Sequence, residues 1–82
     1  MNRIKIISCE VVDDNWGRTT KYSDSCDILD HLIYPLDWTD DVTFFDDMKN
    51  IYLIDDLDNK IVEVGNRVFK INTQEEIVEE IL

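Results

Sequence analysis

The N-terminal part of the chain alternates apolar and polar residues in the manner of a β-strand. The run from Arg3 to Val12 is rich in β-branched residues, and its alternation slips phase near Ile7. Such a slip indicates a local irregularity in the strand, as a β-bulge produces. Asp13–Gly17 is typical of a turn, and Arg18–Tyr22 is expected to return as a short second strand.

A helical pattern follows this predicted hairpin. Apolar residues recur at helical spacing after Ser25, and either Ser23 or Ser25 offers an N-cap. The pattern predicts a helix from about Asp24 to Tyr34, which ends because Pro35 cannot continue the backbone hydrogen bonding.

The next segment allows two interpretations. Thr39 is placed to cap a second helix over 40–48, with apolar residues on one face at i, i+4 and i+7. Residues 42–45 are equally compatible with extended backbone. The sequence therefore predicts one or two central helices.

The C-terminal part contains three short runs of strand character. Ile51–Ile54, Lys60–Val64 and Arg67–Ile71 are separated by connectors of hairpin length, which predicts a three-stranded antiparallel meander. Thr73–Glu76 matches a capping box, and 77–82 would present one apolar face as a helix. A short amphipathic helix is therefore expected at the C-terminus.

Together these elements predict a single compact α+β domain over residues 1–82. Its small antiparallel sheet comprises an N-terminal strand or hairpin plus the meander. One or two central helices and the short C-terminal helix are expected to cover one face of that sheet. A chain of this length builds one modest core.

The distribution of charged residues is the most informative feature of the sequence for function. The segment from Tyr22 to Met48 contains eight aspartates and no Lys or Arg, and the chain carries a formal net charge of −11. Because aromatic residues are interleaved with these aspartates, we expect the segment to fold rather than to form a disordered tail. An acidic folded surface attracts cationic partners and repels nucleic acid and anionic membranes.

The expected partner is a basic nucleic-acid-binding protein, and the chain itself is expected to bind neither nucleic acid nor membrane. The predicted partner-binding surface combines the aspartates of this segment and of the 55–58 turn with two aromatic anchors: Asp24, Asp27, Asp30, Tyr34, Asp37, Trp38, Asp40, Asp41, Asp46, Asp47, Asp55, Asp56 and Asp58.

Catalytic chemistry finds little support in the sequence. His31 is the only histidine, the chain has two glycines and no phosphate-binding loop, and no nucleophile and base are paired by a known motif. The aspartates of 55–58 and of 13–24 do not match the spacing of a calcium loop. We therefore expect no enzyme, no metal site and no cofactor.

The cysteines and the N-terminus favour a cytoplasmic location. Cys9 and Cys26 are too few for a disulfide framework and are expected to stay free thiols, in a buried strand and at a helix start. The sequence shows neither the apolar core of a signal peptide nor a stretch long enough to span a membrane.

In size, charge and globular composition the chain is similar to the small acidic inhibitors that phages and mobile elements deploy against restriction, CRISPR or DNA-repair enzymes. This similarity implies a nucleic-acid mimic of anti-CRISPR or anti-restriction type, which fills the basic groove of its target. One alternative is an acidic binding module, such as an immunity protein, antitoxin or adaptor, that does not compete with nucleic acid. Another is that the charge serves solubility alone.

Overall fold

Strands dominate the fold. The computed structural model describes residues 3–13, 15–34 and 41–82. Their elements in chain order are β1 (Arg3–Asp13), β2 (Arg18–Tyr22), α1 (Ser25–Ile33), β3 (Asp41–Asp46), β4 (Ile51–Tyr52), a 3₁₀ turn (Ile54–Leu57), β5 (Ile61–Val64), β6 (Arg67–Asn72) and β7 (Ile77–Ile81).

The seven strands of the described residues form one mixed sheet in the order β4-β3-β1-β5-β6-β7, with β2 also paired to β1. At 11 residues, β1 is long enough to hold three partners. It pairs antiparallel with β3 along one side. On its other side, β5 runs parallel to its first half and β2 antiparallel to its second half. The expectation of a purely antiparallel sheet was therefore wrong.

The predicted irregularity in the first strand is confirmed. The pairing of β1 with β3 shifts register between Ile6 and Ser8. Ile6 lies in the core before the shift, and Cys9 and Val11 lie in the core after it. Because one extra residue is inserted, the hydrophobic core positions of β1 change from even to odd numbers.

Helix α1 covers one face of the sheet, as predicted. Ile28, Leu29 and Leu32 are buried against the strands, at the spacing of one helical face. Asp24 is the N-cap, in place of the expected serines, and its Oδ1 accepts a 2.7 Å hydrogen bond from the Cys26 backbone N–H. We call the sheet face under α1 the helix side and the opposite face the open face.

The 3₁₀ turn also lies on the helix side. Its Leu57 is fully buried in the same core cluster as the three α1 residues. Helix α1 and the 3₁₀ turn therefore lie on the same face of the sheet.

Of the two interpretations of residues 40–48, the second helix was wrong and the extended backbone over 42–45 is confirmed. Residues 41–46 form β3, in which Val42 and Phe44 are buried while Asp41 is exposed. This strict alternation is the period of a strand, and β-branched and aromatic residues fit a pleated sheet well. The pairing of β3 with β1 satisfies its backbone groups.

The predicted C-terminal helix was also wrong. Residues 77–81 form β7, which pairs antiparallel with β6 after a turn in which Glu76 has a φ of 59°. An isolated helix of about ten residues is marginal, whereas the β6 edge supplies a ladder of hydrogen bonds. Val78 packs on the core from this position, opposite Ile71.

The three-stranded antiparallel meander exists, but it is formed by later segments of the chain than predicted. β4 pairs with β3, so the meander consists of β5, β6 and β7. The Gly65-Asn66 turn between β5 and β6 is as predicted, with a Gly65 φ of 62° that suits glycine. The predicted α+β class, with two or three helices on an antiparallel sheet, was wrong: residues 3–13, 15–34 and 41–82 form a mostly β fold with one helix and a 3₁₀ turn.

Candidate partner-binding surface

Helix α1 presents part of the predicted acidic surface. Asp27 and Asp30 are exposed, on the helical face opposite the buried leucines. Side chains at i and i+3 of a helix are neighbours, with about 5–6 Å between their Cβ atoms. Tyr34 directly follows the helix and is 56% exposed. The prediction that these three side chains face solvent is confirmed.

The position of α1 on the sheet is held by apolar and aromatic contacts. Its buried residues contact the core, and the ring of half-buried His31 lies 5.4 Å from the Tyr22 ring of β2. The carboxylates of Asp27 and Asp30 are therefore mounted on a rigid element, with few rotatable bonds between charge and backbone.

A second acidic group lies on the 3₁₀ turn. Asp55 and Asp56 are exposed, and Asp56 Oδ2 accepts a 2.9 Å hydrogen bond from the Leu53 backbone N–H. Asp58 is half-buried and joins two loops, because its Oδ1 accepts a 2.7 Å hydrogen bond from the Thr73 backbone N–H. Asp58 thus has a structural role in addition to its charge.

These two groups lie on the same side of the sheet. We call their five exposed carboxylates the helix-side carboxylates: Asp24, Asp27, Asp30, Asp55 and Asp56. Residues separated by about 30 positions in the chain are thereby placed on one face by α1 and the 3₁₀ turn.

Asp46 was wrongly assigned to the exposed surface. It is only 5% exposed, and it organises the turn between β3 and β4. Its Oδ1 accepts hydrogen bonds from the backbone N–H groups of Met48 and Asn50, at 2.9 and 2.8 Å. Its Oδ2 accepts from the Asn50 side-chain amide and the Tyr52 hydroxyl, both at 3.0 Å.

The protonation of Asp46 follows from these contacts. Burial by itself raises the pKa of the Asp46 carboxyl, but the four hydrogen bonds outweigh that effect and hold the pKa below the usual value for aspartate. Burial and the hydrogen bond to Asp46 raise the pKa of Tyr52. Asp46 is therefore a charged residue that stabilises the β3–β4 turn.

The remaining predicted residues are dispersed. Asp41 begins β3 at a position that alternates with buried Val42, so it lies on the open face, away from the helix-side carboxylates. Asp47 is exposed in the turn after β3. Asp37, Trp38 and Asp40 lie outside the described residues.

Two basic side chains on the helix side are already engaged. Arg67 makes a two-pronged contact with Glu80 across β6 and β7, with both N–O distances at 2.9 Å. These hydrogen bonds raise the pKa of Arg67 and lower that of Glu80. The Lys60 ammonium lies 5.7 Å from the centre of the Tyr52 ring. Because Arg67 and Lys60 already have these partners, they do little to neutralise the helix-side carboxylates.

Trp16 is a candidate anchor that the sequence reasoning missed. It lies in the turn of the β1–β2 hairpin and is 79% exposed. The hairpin turn is closed by the Gly17 and Trp16 backbone N–H groups, which donate to the Asp13 carbonyl. Its location within an Asp-Asn-Trp-Gly turn signal was the available clue, because turn residues face solvent.

The two cysteines occupy the environments that the sequence predicts. Cys9 is a fully buried free thiol in β1, whereas Cys26 is exposed on the first turn of α1. Burial, with a smaller contribution from the negative charge of Asp27, raises the pKa of Cys9 to about 11. Cys9 is thus protonated and packs as a small apolar residue.

No group of three or more His, Cys, Asp or Glu side chains within the described ranges is arranged to hold a metal ion. Across the same part of the chain, no helix has the length and apolar character needed to cross a membrane.

Comparisons with protein-family models, characterised proteins and solved structures give no match to this chain.

Proposed function

We propose that this protein is an acidic nucleic-acid mimic that inhibits a DNA- or RNA-binding protein by occupying its basic groove. The observation that carries the proposal is the placement of five exposed carboxylates on one side of the sheet, on α1 and the 3₁₀ turn. Proteins that bind nucleic acid hold Lys and Arg ready for phosphates, and a rigid array of carboxylates satisfies the same side chains.

Three features support this proposal. The carboxylates belong to aspartates, whose short side chains fix the charge close to a packed backbone. The neighbouring Arg67 is already paired with Glu80, so it does not neutralise the array. Tyr34 and Trp16 are exposed aromatic side chains of the type that contributes strongly to interface energies.

A phage-encoded inhibitor of a restriction, CRISPR or repair enzyme would act in the cytoplasm, and two free thiols suit a reducing compartment.

The second candidate is an acidic module of the immunity-protein or antitoxin kind. The same exposed carboxylates favour it, because an acidic face raises the association rate with any basic partner. The two candidates differ in whether nucleic acid competes for the partner.

The proposal is tested by capture from a nuclease-treated bacterial lysate on the immobilised protein at low salt. The variant Asp27→Lys/Asp30→Lys is expected to lose the captured protein. Its matched control is Glu75→Lys/Glu76→Lys, which changes the net charge equally but lies in the β6–β7 turn. Equal capture by both variants, or no capture by the parent protein, would contradict the proposal.

A further inference from the structure

The open face of the sheet differs in charge from the rest of the molecule. Strand alternation places four basic side chains on it: Arg3, Lys5, Lys21 and Lys70. The same alternation places four acidic side chains there: Glu10, Glu63, Asp41 and Glu79. The charges that the described strands place on the open face therefore cancel, and the net charge of −11 belongs to the remainder of the chain.

Opposite charges on this face are arranged in register. Lys5 lies opposite Glu63 on the β1–β5 pair, and Lys70 lies opposite Glu79 on the β6–β7 pair. Glu10 lies opposite Lys21 on the β1–β2 pair. Three of the four cations thus lie directly opposite a carboxylate, whereas Arg3 lies opposite Ile61.

Between the charges the open face is apolar. Its partly or fully exposed apolar side chains include Phe45, Ile51, Ile61, Val68, Ile77 and Ile81. Ile51 is 64% exposed and Ile77 is 49% exposed. Within the described residues, no helix packs on this face, because α1 and Leu57 of the 3₁₀ turn both lie on the other side.

The face is also large enough for a stable interface. The two longer extents of the chain are 38 and 27 Å. They match the length of β1 and the width of six adjacent strands at about 3.3 Å per residue and about 4.8 Å per strand. Because the strands do not fill this rectangle, the face covers less than roughly 1,000 Å², and the smaller specific interfaces bury about 600 Å² per partner.

We infer that the open face is a self-association surface, on which a second copy of this chain packs sheet to sheet. Two chains of charge −11 repel each other wherever their acidic surfaces meet, so association requires a face without net charge. The open face meets that requirement and adds apolar area. The resulting dimer presents its helix-side carboxylates outward on both sides. This inference does not depend on the proposed function.

Salt distinguishes this contact from binding to a basic partner. The acidic remainder of each copy still repels the other, so the dimer becomes tighter as salt screens that repulsion. A complex between an acidic and a basic protein becomes weaker under the same conditions. Sedimentation equilibrium of the parent protein at about 50 and 500 mM NaCl is expected to show a larger dimer fraction at the higher salt.

Two charge variants with equal net charge locate the interface. Glu63→Lys/Glu79→Lys gives each open face a charge of +4, and we expect the dimer dissociation constant to rise by at least roughly tenfold. Asp27→Lys/Asp30→Lys changes the helix side instead, and we expect the dimer to be equally tight or tighter. Circular dichroism verifies that both variants are folded.

Three results would overturn the inference. The first is a monomeric parent protein at both salt concentrations, which needs no variant to interpret. The second is a dimer that weakens as salt rises. The third is a folded Glu63→Lys/Glu79→Lys protein that dimerises as tightly as the parent.

Discussion

Substitution of Leu32 by alanine tests whether α1 is packed on the sheet and so holds its aspartates in place. Leu32 has no solvent exposure and belongs to the core cluster. Fully buried Leu→Ala changes cost about 3–5 kcal/mol, because transfer free energy is lost and a cavity remains. A chain of 82 residues has a total stability of roughly 4–12 kcal/mol, so the substitution removes a large share of it.

The expected result is a large fall in thermal stability. For a domain of this size, 1 kcal/mol corresponds to about 4–8 °C, so the unfolding midpoint should fall by about 12–40 °C. Thermal unfolding followed by circular dichroism measures this change. Leu53→Ala is the matched control, since Leu53 is 53% exposed and should lower the midpoint far less. Similar midpoints for the two variants would refute the packing of α1 described above.

Three further predictions concern the thiols, the β3–β4 turn and nucleic acid. In the native protein, a thiol reagent should label Cys26 rapidly and Cys9 only after unfolding, because Cys9 is buried and its pKa is raised to about 11. Asp46→Asn should destabilise the protein at neutral pH. Because the folded-state pKa of Asp46 is lowered, its contribution is present above the usual aspartate pKa and is lost as pH falls through the folded-state value, so the parent and variant midpoints should converge in acid. A gel-shift assay should show no retention of DNA or RNA at physiological salt.

The sequence correctly predicted those segments in which the local residue pattern favours the same backbone structure as the contacts with the rest of the fold. The slip in alternation near Ile7 predicted the register shift in β1, and the helical spacing of apolar residues after Ser25 predicted α1. The Gly65-Asn66 turn was predicted because few residues tolerate its backbone conformation. These features depend on neighbours in the chain, which a single sequence displays directly.

The failures arose where distant partners decide the structure. Residues 77–81 fit a helix by apolar spacing, yet β6 offers them a free edge and Arg67 offers Glu80 a partner. Residues 41–46 were ambiguous until β1 supplied a long strand to pair with. Tertiary pairing overrides weak local preference in such short segments.

The acidic surface was predicted only in part for a related reason. Composition reveals how many carboxylates the chain has, but burial depends on the fold. Asp46 resembles its exposed neighbours in sequence, whereas four hydrogen bonds hold it inside the β3–β4 turn. Asp41 is exposed but faces the other side of the sheet from Asp27.

Competition with nucleic acid is the measurement that tests the central claim most directly. A basic protein captured on the immobilised chain is purified and loaded with a fluorescent duplex or RNA, and the free chain is then titrated in while anisotropy is followed. A mimic is expected to release the nucleic acid completely, and the Asp27→Lys/Asp30→Lys variant is expected to release far less. A ternary complex, in which the chain binds while the nucleic acid stays bound, would contradict the account.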